Sequence, residues 1–284
     1  MAGHLHFDAP SALDYFAALV ADDASFPVLE AAITLAQDED PRVDVQGTLA
    51  RIDELADRLK RRIPADAPAL QRLRLLNRYF FQELGFAGNI NHYDDPRNSL
   101  LPVVLESRRG IPITLALLYA EIAGTAGLKA QPLPFPGHVL VKLALPHGDA
   151  VIDPFSGASL LREDLEERLS PLRQQRAAAG DSDLPLSFFL RPATGRELIA
   201  RMLRNLRAIY RGQCDWLRLE RVQARLVLLL PQAWDERRDH ALVLAETGAH
   251  GRAAEALALY LQHCPGAADA AALRRRLAAW QGVR

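Results

Sequence analysis

Arg108-Arg109-Gly110-Ile111-Pro112-Ile113-Thr114-Leu115 opens the stretch that decides the fold, which ends at Asp153 and reads RRGIPITLALLYAEIAGTAGLKAQPLPFPGHVLVKLALPHGDAVID. Gly110-Ile111-Pro112 marks the start of a helix, because proline suits the first helical position. The helix predicted from Pro112 to Gly124 is apolar almost all round, so we expect it to be buried at the centre of a domain. The stretch therefore predicts a central helix followed by strands.

Two short strands are predicted after this helix. Val139–Leu145 is rich in β-branched and aliphatic residues, and Pro146–Asp149 supplies a turn. His138 is predicted to open the first strand and Asp153 to end the second. A turn centred at Leu145/Pro146 would place these two residues opposite each other, whereas a turn centred two residues later would offset them by about 13 Å at ~3.3 Å per residue.

Helical periodicity dominates both sides of this region. Residues from about 10 to 88 carry amphipathic stretches, and periodicity resumes after Thr194 and continues to the end of the chain. Between them, Gln174–Asp183 is polar and rich in alanine, which favours a linker. We therefore predict an α+β protein with a helical bundle and mixed core in residues 8–165, a linker in 166–192 and an all-α module in 193–284.

The C-terminal helices show one weak repeat signal. Gly248, Ala253, Leu257, Tyr260 and Pro265 have the offsets of one tetratricopeptide hairpin. A plain helical hairpin explains this spacing about as well. Two or three antiparallel helical pairs fit the segment best, and the number of true repeats stays open.

Composition excludes several classes of protein. The 284 residues carry 34 Lys and Arg against 35 Asp and Glu, so no whole-chain field favours nucleic acid or anionic lipid. No apolar run reaches the ~18 residues of a membrane span. Met1–His6 lacks a basic segment followed by an apolar one, so we expect no signal peptide. We predict a cytoplasmic protein that binds neither nucleic acid nor membranes; the sequence predicts no oligomeric state.

Neither a metal nor another cofactor is predicted. The two cysteines, Cys214 and Cys264, form no CxxC pair and have no ligand-like spacing to histidine. No histidines form an HxxxH or HxH pair on a predicted rigid element, and His4-Leu5-His6 lies in a terminal segment.

The order of helix start, histidine and aspartate is that of a thiol-based active site. A cysteine at a helix N-terminus has a lowered pKa and attacks as the thiolate. A histidine then exchanges the proton, and a carboxylate fixes the imidazole tautomer. His138 and Asp153 could fill the second and third roles. The nucleophile is missing, because both cysteines come well after Asp153.

At these residues the chain resembles a known family. The order of central helix, Gly127-Leu128, His138 and Asp153-Pro154 is similar to the core of the transglutaminase-like (papain-like) superfamily. More narrowly, four motifs resemble the SirB1 family: Phe86–Asn89, Tyr93–Ser99, Arg109–Leu115 and Phe135–His138. That family pairs a transglutaminase-like domain with a tetratricopeptide-like tail. The resemblance covers roughly residues 10–165 and, more loosely, 195–280.

The resemblance implies a changed active site. Counting back from Gly127 by the usual helix length places the nucleophile position at Pro112 or Ile113, and neither residue can attack a carbonyl. Proline also lacks the backbone N–H that could be offered to an oxyanion. The aromatic residue often found two positions after the histidine is Leu140 here. Members of the SirB1 family typically share these features, so classical transglutaminase or cysteine-protease activity is not expected.

The leading hypothesis is a non-catalytic interaction or regulatory protein that binds a protein or peptide partner. A related domain in an animal F-box protein implies a partner-binding use in at least one setting. The candidate residues of the ligand-binding cleft are Asn98, Arg109, Pro112, Thr114, His138 and Asp153. One alternative is a cysteine-independent hydrolase or amide-processing enzyme that uses His138 and Asp153 with activated water. Another is a purely structural domain whose cleft is filled by apolar side chains.

Each candidate also has a structural interpretation. Asn98 lies in a segment that typically makes a structured turn, and Asp153 before a proline typically forms an Asx turn. Arg109 could bind an anion at the helix start or pair with a nearby acidic residue. Thr114 could bond back to a backbone carbonyl, and His138 could simply follow a turn. The sequence leaves these alternatives open.

Overall fold

The computed structural model describes residues 10–23 and 26–282. In chain order its helices are α1 (Ala12–Leu19), α2 (Val28–Thr34), α3 (Val45–Lys60), α4 (Ala69–Asn77), α5 (Leu101–Ser107), α6 (Pro112–Thr125), α7 (Arg162–Ala178), α8 (Leu186–Phe189), α9 (Gly195–Gly212), α10 (Trp216–Leu229), α11 (Trp234–Glu246), α12 (His250–His263) and α13 (Ala270–Gln281). Its strands are β1 (Ala87–Gly88), β2 (Arg109–Gly110), β3 (Ala130–Leu133), β4 (Leu140–Leu145), β5 (Gly148–Ile152) and β6 (Ser159–Leu160). The predictions for Met1–His6 and for a boundary at residue 8 lie outside the described residues.

The chain forms two compact units. The core unit consists of Val28–Ala36 and Arg42–Leu198 and carries the strands. The helical unit consists of the described residues of Met1–Pro27, Gln37–Pro41 and Ile199–Arg284. α1 therefore groups with the C-terminal helices, although its position in the sequence suggested the N-terminal bundle. The boundaries 8–165, 166–192 and 193–284 remain predictions.

Helix α6 is the centre of the core unit. It covers Pro112–Thr125, within one residue of the prediction, and most of its side chains are buried on every face. Leu115, Leu118 and Tyr119 have no exposed surface. The helix packs against α3 on one side and β3 and β4 on the other. An all-apolar helix of this kind is stable only when other elements cover its whole circumference.

The main sheet is antiparallel, with strand order β3-β4-β5-β6. Leu145 pairs with Gly148, so the hairpin turn consists of Pro146 and His147 and lies between the two predicted centres. β4 begins at Leu140, and His138 lies in the turn two residues earlier. The prediction that His138 opens the strand is therefore wrong by two residues. β3 and β6 were not predicted; β6 has only two residues, too few for an alternation signal.

A second, two-stranded sheet fixes the start of α6. Ala87 and Gly88 pair in parallel with Arg109 and Gly110, the residues just before the helix. A Cβ at Gly88 would lie 2.4 Å from the ring of Phe155, so no side chain fits there. The polar loop that begins at residue 88 is thereby held close to the segment after Asp153.

The predicted linker is largely structured. α7 covers Arg162–Ala178, and Leu165 and Leu169 are buried in a cluster with Phe135 and Phe189. Leu165 and Leu169 are four residues apart and therefore lie on one face of the helix. The polar, alanine-rich composition of Gln174–Asp183 concealed this short apolar stripe. Part of the stretch 166–192 thus contributes to the core of the unit.

The helical unit contains the predicted hairpin. Consecutive helices from α10 to α13 contact one another. Ala253, Leu257 and Tyr260 are buried, and Gly248 has a φ of +81° in the turn between α11 and α12, a conformation that favours glycine. Among the described residues, no helix is both long and apolar enough to cross a membrane.

One buried ion pair stabilises the helical unit. The side chain of Arg225 on α10 is fully buried, and its Nε and Nη2 donate to the two carboxylate oxygens of Asp38 at 2.7 and 2.8 Å. Its guanidinium also lies 4.7 Å from the ring centre of Phe16 on α1. The pair therefore joins three segments that are far apart in sequence.

Asp38→Ala is predicted to lower the free energy of unfolding by about 3 kcal/mol, because it removes the two charge-assisted hydrogen bonds between Asp38 and the buried guanidinium of Arg225. Asp235→Ala is the matched control: Asp235 pairs with Arg238 at 3.3 Å, but its side chain is 79% exposed, so we expect a change of less than about 0.5 kcal/mol. Urea unfolding followed by circular dichroism measures both. Equal effects of the two variants would contradict this assignment.

Candidate functional site

His138 and Asp153 meet in the core unit. Nε2 of His138 lies 2.8 Å from Oδ1 of Asp153, within hydrogen-bond distance. The two residues come from the turn before β4 and the position just after β5, and pairing of these adjacent strands brings them together. The histidine side chain is 20% exposed, whereas the aspartate side chain is 4% exposed.

Asp153 accepts hydrogen bonds from three groups. Besides His138, the backbone N–H of Phe155 donates to Oδ1 at 3.0 Å, and Nη2 of Arg168 donates to Oδ2 at 3.1 Å. Burial alone would raise the pKa of Asp153. The hydrogen bond and charge of His138, together with the hydrogen bonds from Phe155 and Arg168, outweigh burial and hold the pKa of Asp153 well below its usual range. Asp153 is therefore ionised at neutral pH.

The ionised carboxylate fixes the orientation of the imidazole. Because Asp153 can only accept, Nε2 of His138 carries the proton in this contact. In the neutral ring, Nδ1 then presents its lone pair as a base. A histidine–carboxylate pair needs this arrangement to transfer a proton. The same hydrogen bond also holds the two loops that carry His138 and Asp153 together.

The start of α6 is closed to solvent. Ile111, Pro112, Ile113 and Thr114 are all buried. The position to which the family resemblance assigns the nucleophile, Pro112 or Ile113, therefore carries a buried apolar side chain.

Thr114 and Asn98 together hold the loop that precedes α6. The hydroxyl of Thr114 accepts from the backbone N–H of Ile111 at 3.2 Å and donates to the carbonyl of Asn98 at 2.9 Å. The side chain of Asn98 donates to the carbonyls of His92 and Tyr93 at 2.6 and 3.1 Å. Both side chains are buried, and the contacts agree with the structural interpretation of each.

Arg109 bonds to backbone carbonyls, and its predicted role in anion binding stays a prediction. Its Nη1 donates to the carbonyl oxygens of Gly85 and Arg108 at 2.7 and 3.0 Å. The exposed side chain thus ties the end of one loop to the start of β2. Of the six candidate cleft residues, Asn98, Pro112, Thr114 and Asp153 are buried, Arg109 is exposed and His138 is partly exposed.

Sequence reasoning missed three residues that build this site. Arg168 on α7 completes the shell around Asp153, and the ring of Phe155 meets that of His138 edge-on at 6.1 Å between centres. Gly88 donates its N–H to the carbonyl of Phe155 at 2.9 Å. Phe155 stands next to Asp153-Pro154 and could have been found; Arg168 had no signal beyond its place on a helix.

The helical unit carries a separate groove of about 350 Å³. Its apolar wall consists of Leu13 on α1 and Ala224, Val227 and Leu228 on α10. Its polar side consists of Asp38, Glu220, Arg221, His240 and Arg252.

Arg221 leaves the polar side of the groove electropositive. Glu220 is held at 3.3 Å by both His240 and Arg252, and Asp38 is neutralised by Arg225. Arg221 donates to the backbone carbonyl of Asp38, which carries no charge. The groove thus offers an apolar wall beside unbalanced positive charge.

No metal site is found in the described part of the chain, since no three His, Cys, Asp or Glu side chains cluster there in a way that would hold an ion. The acidic side chains of both sites are paired with a histidine, an arginine or both: Asp153 with His138 and Arg168, Glu220 with His240 and Arg252, and Asp38 with Arg225.

Comparison with known families agrees with the two-part organisation. Residues 46–204, more than half of the chain, match the family described as the Transglutaminase-like superfamily. Residues 206–278 match the Tetratricopeptide repeat, a length of about two repeats of ~34 residues. No solved structure matches the chain.

Relatives of this chain occur in several bacteria. A UPF0162 protein of Xylella fastidiosa is 34% identical over 245 residues, 86% of each chain. A UPF0162 protein of Pseudomonas aeruginosa is 29% identical over 204 residues, 72% of each chain. The UPF0162 protein YchA of Escherichia coli is 26% identical over 226 residues, which cover 79% of this chain and 81% of YchA.

Asp153→Asn is predicted to lower the free energy of unfolding at pH 7 by about 2–3 kcal/mol, because charge-assisted hydrogen bonds are weakened. A carboxylate with a depressed pKa stabilises the fold above its unfolded pKa of about 4 and loses that contribution as the pH falls toward the folded pKa. The gap between wild type and variant should therefore shrink as the pH falls below about 4. Urea titrations at four pH values measure it. A gap that does not change with pH would exclude an ionised Asp153.

Proposed function

The chain belongs to the Transglutaminase-like superfamily and to the UPF0162 family, and from this premise we propose that it is a non-catalytic interaction or regulatory factor. The observation that carries the proposal is the buried, apolar start of α6. Pro112 and Ile113 stand where the resemblance assigns the nucleophile, and both are buried. The proposal includes the narrower assignment to the SirB1 family, which rests on the four quoted motifs.

Partner binding is assigned to the groove of the helical unit. Tetratricopeptide repeats generally bind proteins, since stacked helical pairs create extended binding surfaces. Leu13 and Leu228 are each 37% exposed on the apolar wall, so covering them would remove apolar surface from water. Arg221 adds positive charge beside that wall, and Arg252 lies next to Glu220 on the same side. The occupant we propose is a partner segment with an apolar side chain next to an acidic one.

The proposed function is carried out in the cytoplasm. Cys214 and Cys264 are both free thiols, which is usual for proteins in compartments that keep thiols reduced. His138 and Asp153 act in this proposal as a latch that positions the loops of the core unit.

A hydrolytic function is the second candidate. The 2.8 Å contact between His138 and Asp153 and the partial exposure of the histidine favour it. In such a reaction Nδ1 of His138 would take a proton from water as the water attacks an amide or ester carbonyl. The breakdown of the tetrahedral intermediate would return that proton to the leaving group.

Leu228→Asp is predicted to abolish partner binding, because a carboxylate would replace an apolar contact and oppose an acidic segment. Leu259→Asp is the matched control: Leu259 is 40% exposed on α12 and does not line the groove. Cells expressing tagged wild type or either variant are cross-linked, and captured proteins are quantified. We expect wild type and Leu259→Asp to capture the same proteins, and Leu228→Asp to lose them by about tenfold or more.

A synthetic peptide from the captured region then provides a direct test. It should contain an acidic residue beside an apolar one, and Arg252→Glu should weaken its binding to the purified protein. If Leu228→Asp leaves capture unchanged, or if Arg252→Glu leaves the affinity for the peptide unchanged, the groove is excluded as the binding site.

His138→Ala separates the two candidate functions. The non-catalytic proposal predicts that wild type and variant hydrolyse a panel of amide and ester substrates at the same background rate. General base catalysis by His138 would instead make wild type about 10²–10⁴-fold faster than the variant. Such a difference, with the fold of the variant verified by circular dichroism, would overturn the non-catalytic proposal.

A further inference from the structure

Three arginines surround a small depression of the core unit. Arg51 and Arg58 on α3 and Arg108 after α5 line a space of about 130 Å³. Leu55 and Leu105 provide apolar contacts, and Glu54 adds one carboxylate. The depression shares no residue with the His138–Asp153 pair.

Arg108 is held in place at a conformational cost. Its φ is +59°, in the left-handed region, which is unfavourable for a residue with a Cβ. Its guanidinium lies 4.7 Å from the ring centre of Phe86, a favourable cation–π distance. Nη1 is buried and has no hydrogen-bond partner among the described residues. A buried donor in this state has unused capacity to bind an acceptor.

Positive charge exceeds negative charge around the depression. Arg58 is paired with Glu54 at 2.5 Å, but Arg51 reaches Glu106 only at 3.4 Å, and both partners of that pair are more than half exposed. Such an exposed contact is weak. Burial and the charges of Arg51 and Arg58 lower the pKa of Arg108, as expected where like charges lie close together.

We propose that this depression is a binding site for a phosphate-type oxyanion. Guanidinium groups present planar pairs of N–H donors that match phosphate oxygens, and charge-assisted bonds of this kind are about twice as strong as neutral ones. A space of about 130 Å³ has room for roughly four waters at ~30 Å³ each. It fits a tetrahedral anion or the phosphate group of a larger molecule. The anion would relieve the repulsion among the three arginines.

Isothermal titration with inorganic phosphate, against chloride at equal ionic strength, tests the proposal. Wild type should bind phosphate, and Arg51→Gln should bind it about tenfold more weakly, which corresponds to ~1.4 kcal/mol. The matched control is Arg162→Gln: Arg162 is 76% exposed, is paired with Glu166 at 3.6 Å and does not line the depression. It should bind as wild type does. Absence of phosphate binding by wild type, or equal weakening by both variants, would overturn the proposal.

Two further variants make the test independent of folding effects. Arg108→Gln should abolish binding, but it also removes the contact with Phe86, so its fold must be verified by circular dichroism; Arg51→Gln provides the test if that variant does not fold. Glu54→Gln should tighten binding severalfold, because it removes the carboxylate and frees Arg58. Weaker or unchanged binding by Glu54→Gln would contradict the site.

The source of the phosphate group is resolved by a second titration. Glycerol 3-phosphate is compared with inorganic phosphate on the same proteins. Tighter binding of the ester, lost in Arg51→Gln, supports a site for the phosphate of a larger metabolite. Tighter binding of the free ion, lost in the same variant, supports a phosphate-ion site. If Arg51→Gln weakens the binding of neither glycerol 3-phosphate nor inorganic phosphate, the proposal is overturned.

Discussion

The geometry of the core unit depends on the hydrogen bonds that the ionised carboxylate of Asp153 accepts. Three donors converge on it: the imidazole of His138, the guanidinium of Arg168 and the backbone N–H of Phe155. A buried carboxylate is tolerated only when its oxygens are satisfied in this way. Phe155 in turn contacts Gly88, whose strand pairs with the residues just before α6. One buried charge therefore links the sheet, α7 and the start of the central helix.

A thiol-based enzyme needs both a histidine–carboxylate pair and an accessible nucleophile at a helix start, and this core unit has only the first. The histidine–carboxylate pair is present with a proton-transfer geometry, while the helix start beside the paired strands is buried and apolar. Catalysis by a covalent route needs both in contact with the substrate. We infer that the pair serves here to position loops, and that binding rather than bond breaking is the function. The proposed partner groove and the proposed anion site share no residue with this pair.

Much of the fold could be predicted from the sequence, because local sequence patterns mark the helices and the hairpin. The helix from Pro112 is marked by its proline and its apolar run, and the hairpin around Pro146 by its turn residues. The pairing of His138 with Asp153 followed only from the family resemblance, since the position of the turn was ambiguous. Arg168 and Arg225 could not be predicted: each reaches a distant carboxylate through the tertiary fold, and no periodicity marks such a contact. Burial of Asn98 could not be predicted either, because polar residues near a helix start are usually exposed; burial of Thr114 followed from the apolar helix that contains it.

Alkylation of a cysteine introduced at Ile113 or Pro112, in a background with Cys214→Ser and Cys264→Ser, tests the central claim most directly. Iodoacetamide modification is followed by mass spectrometry in the native and the urea-unfolded protein, with and without His138→Ala. A closed helix start predicts that the native thiol reacts far more slowly than the unfolded one and that His138→Ala has no effect. Rapid alkylation of the native thiol that is lost in His138→Ala would show an open, histidine-activated site and would contradict the non-catalytic account.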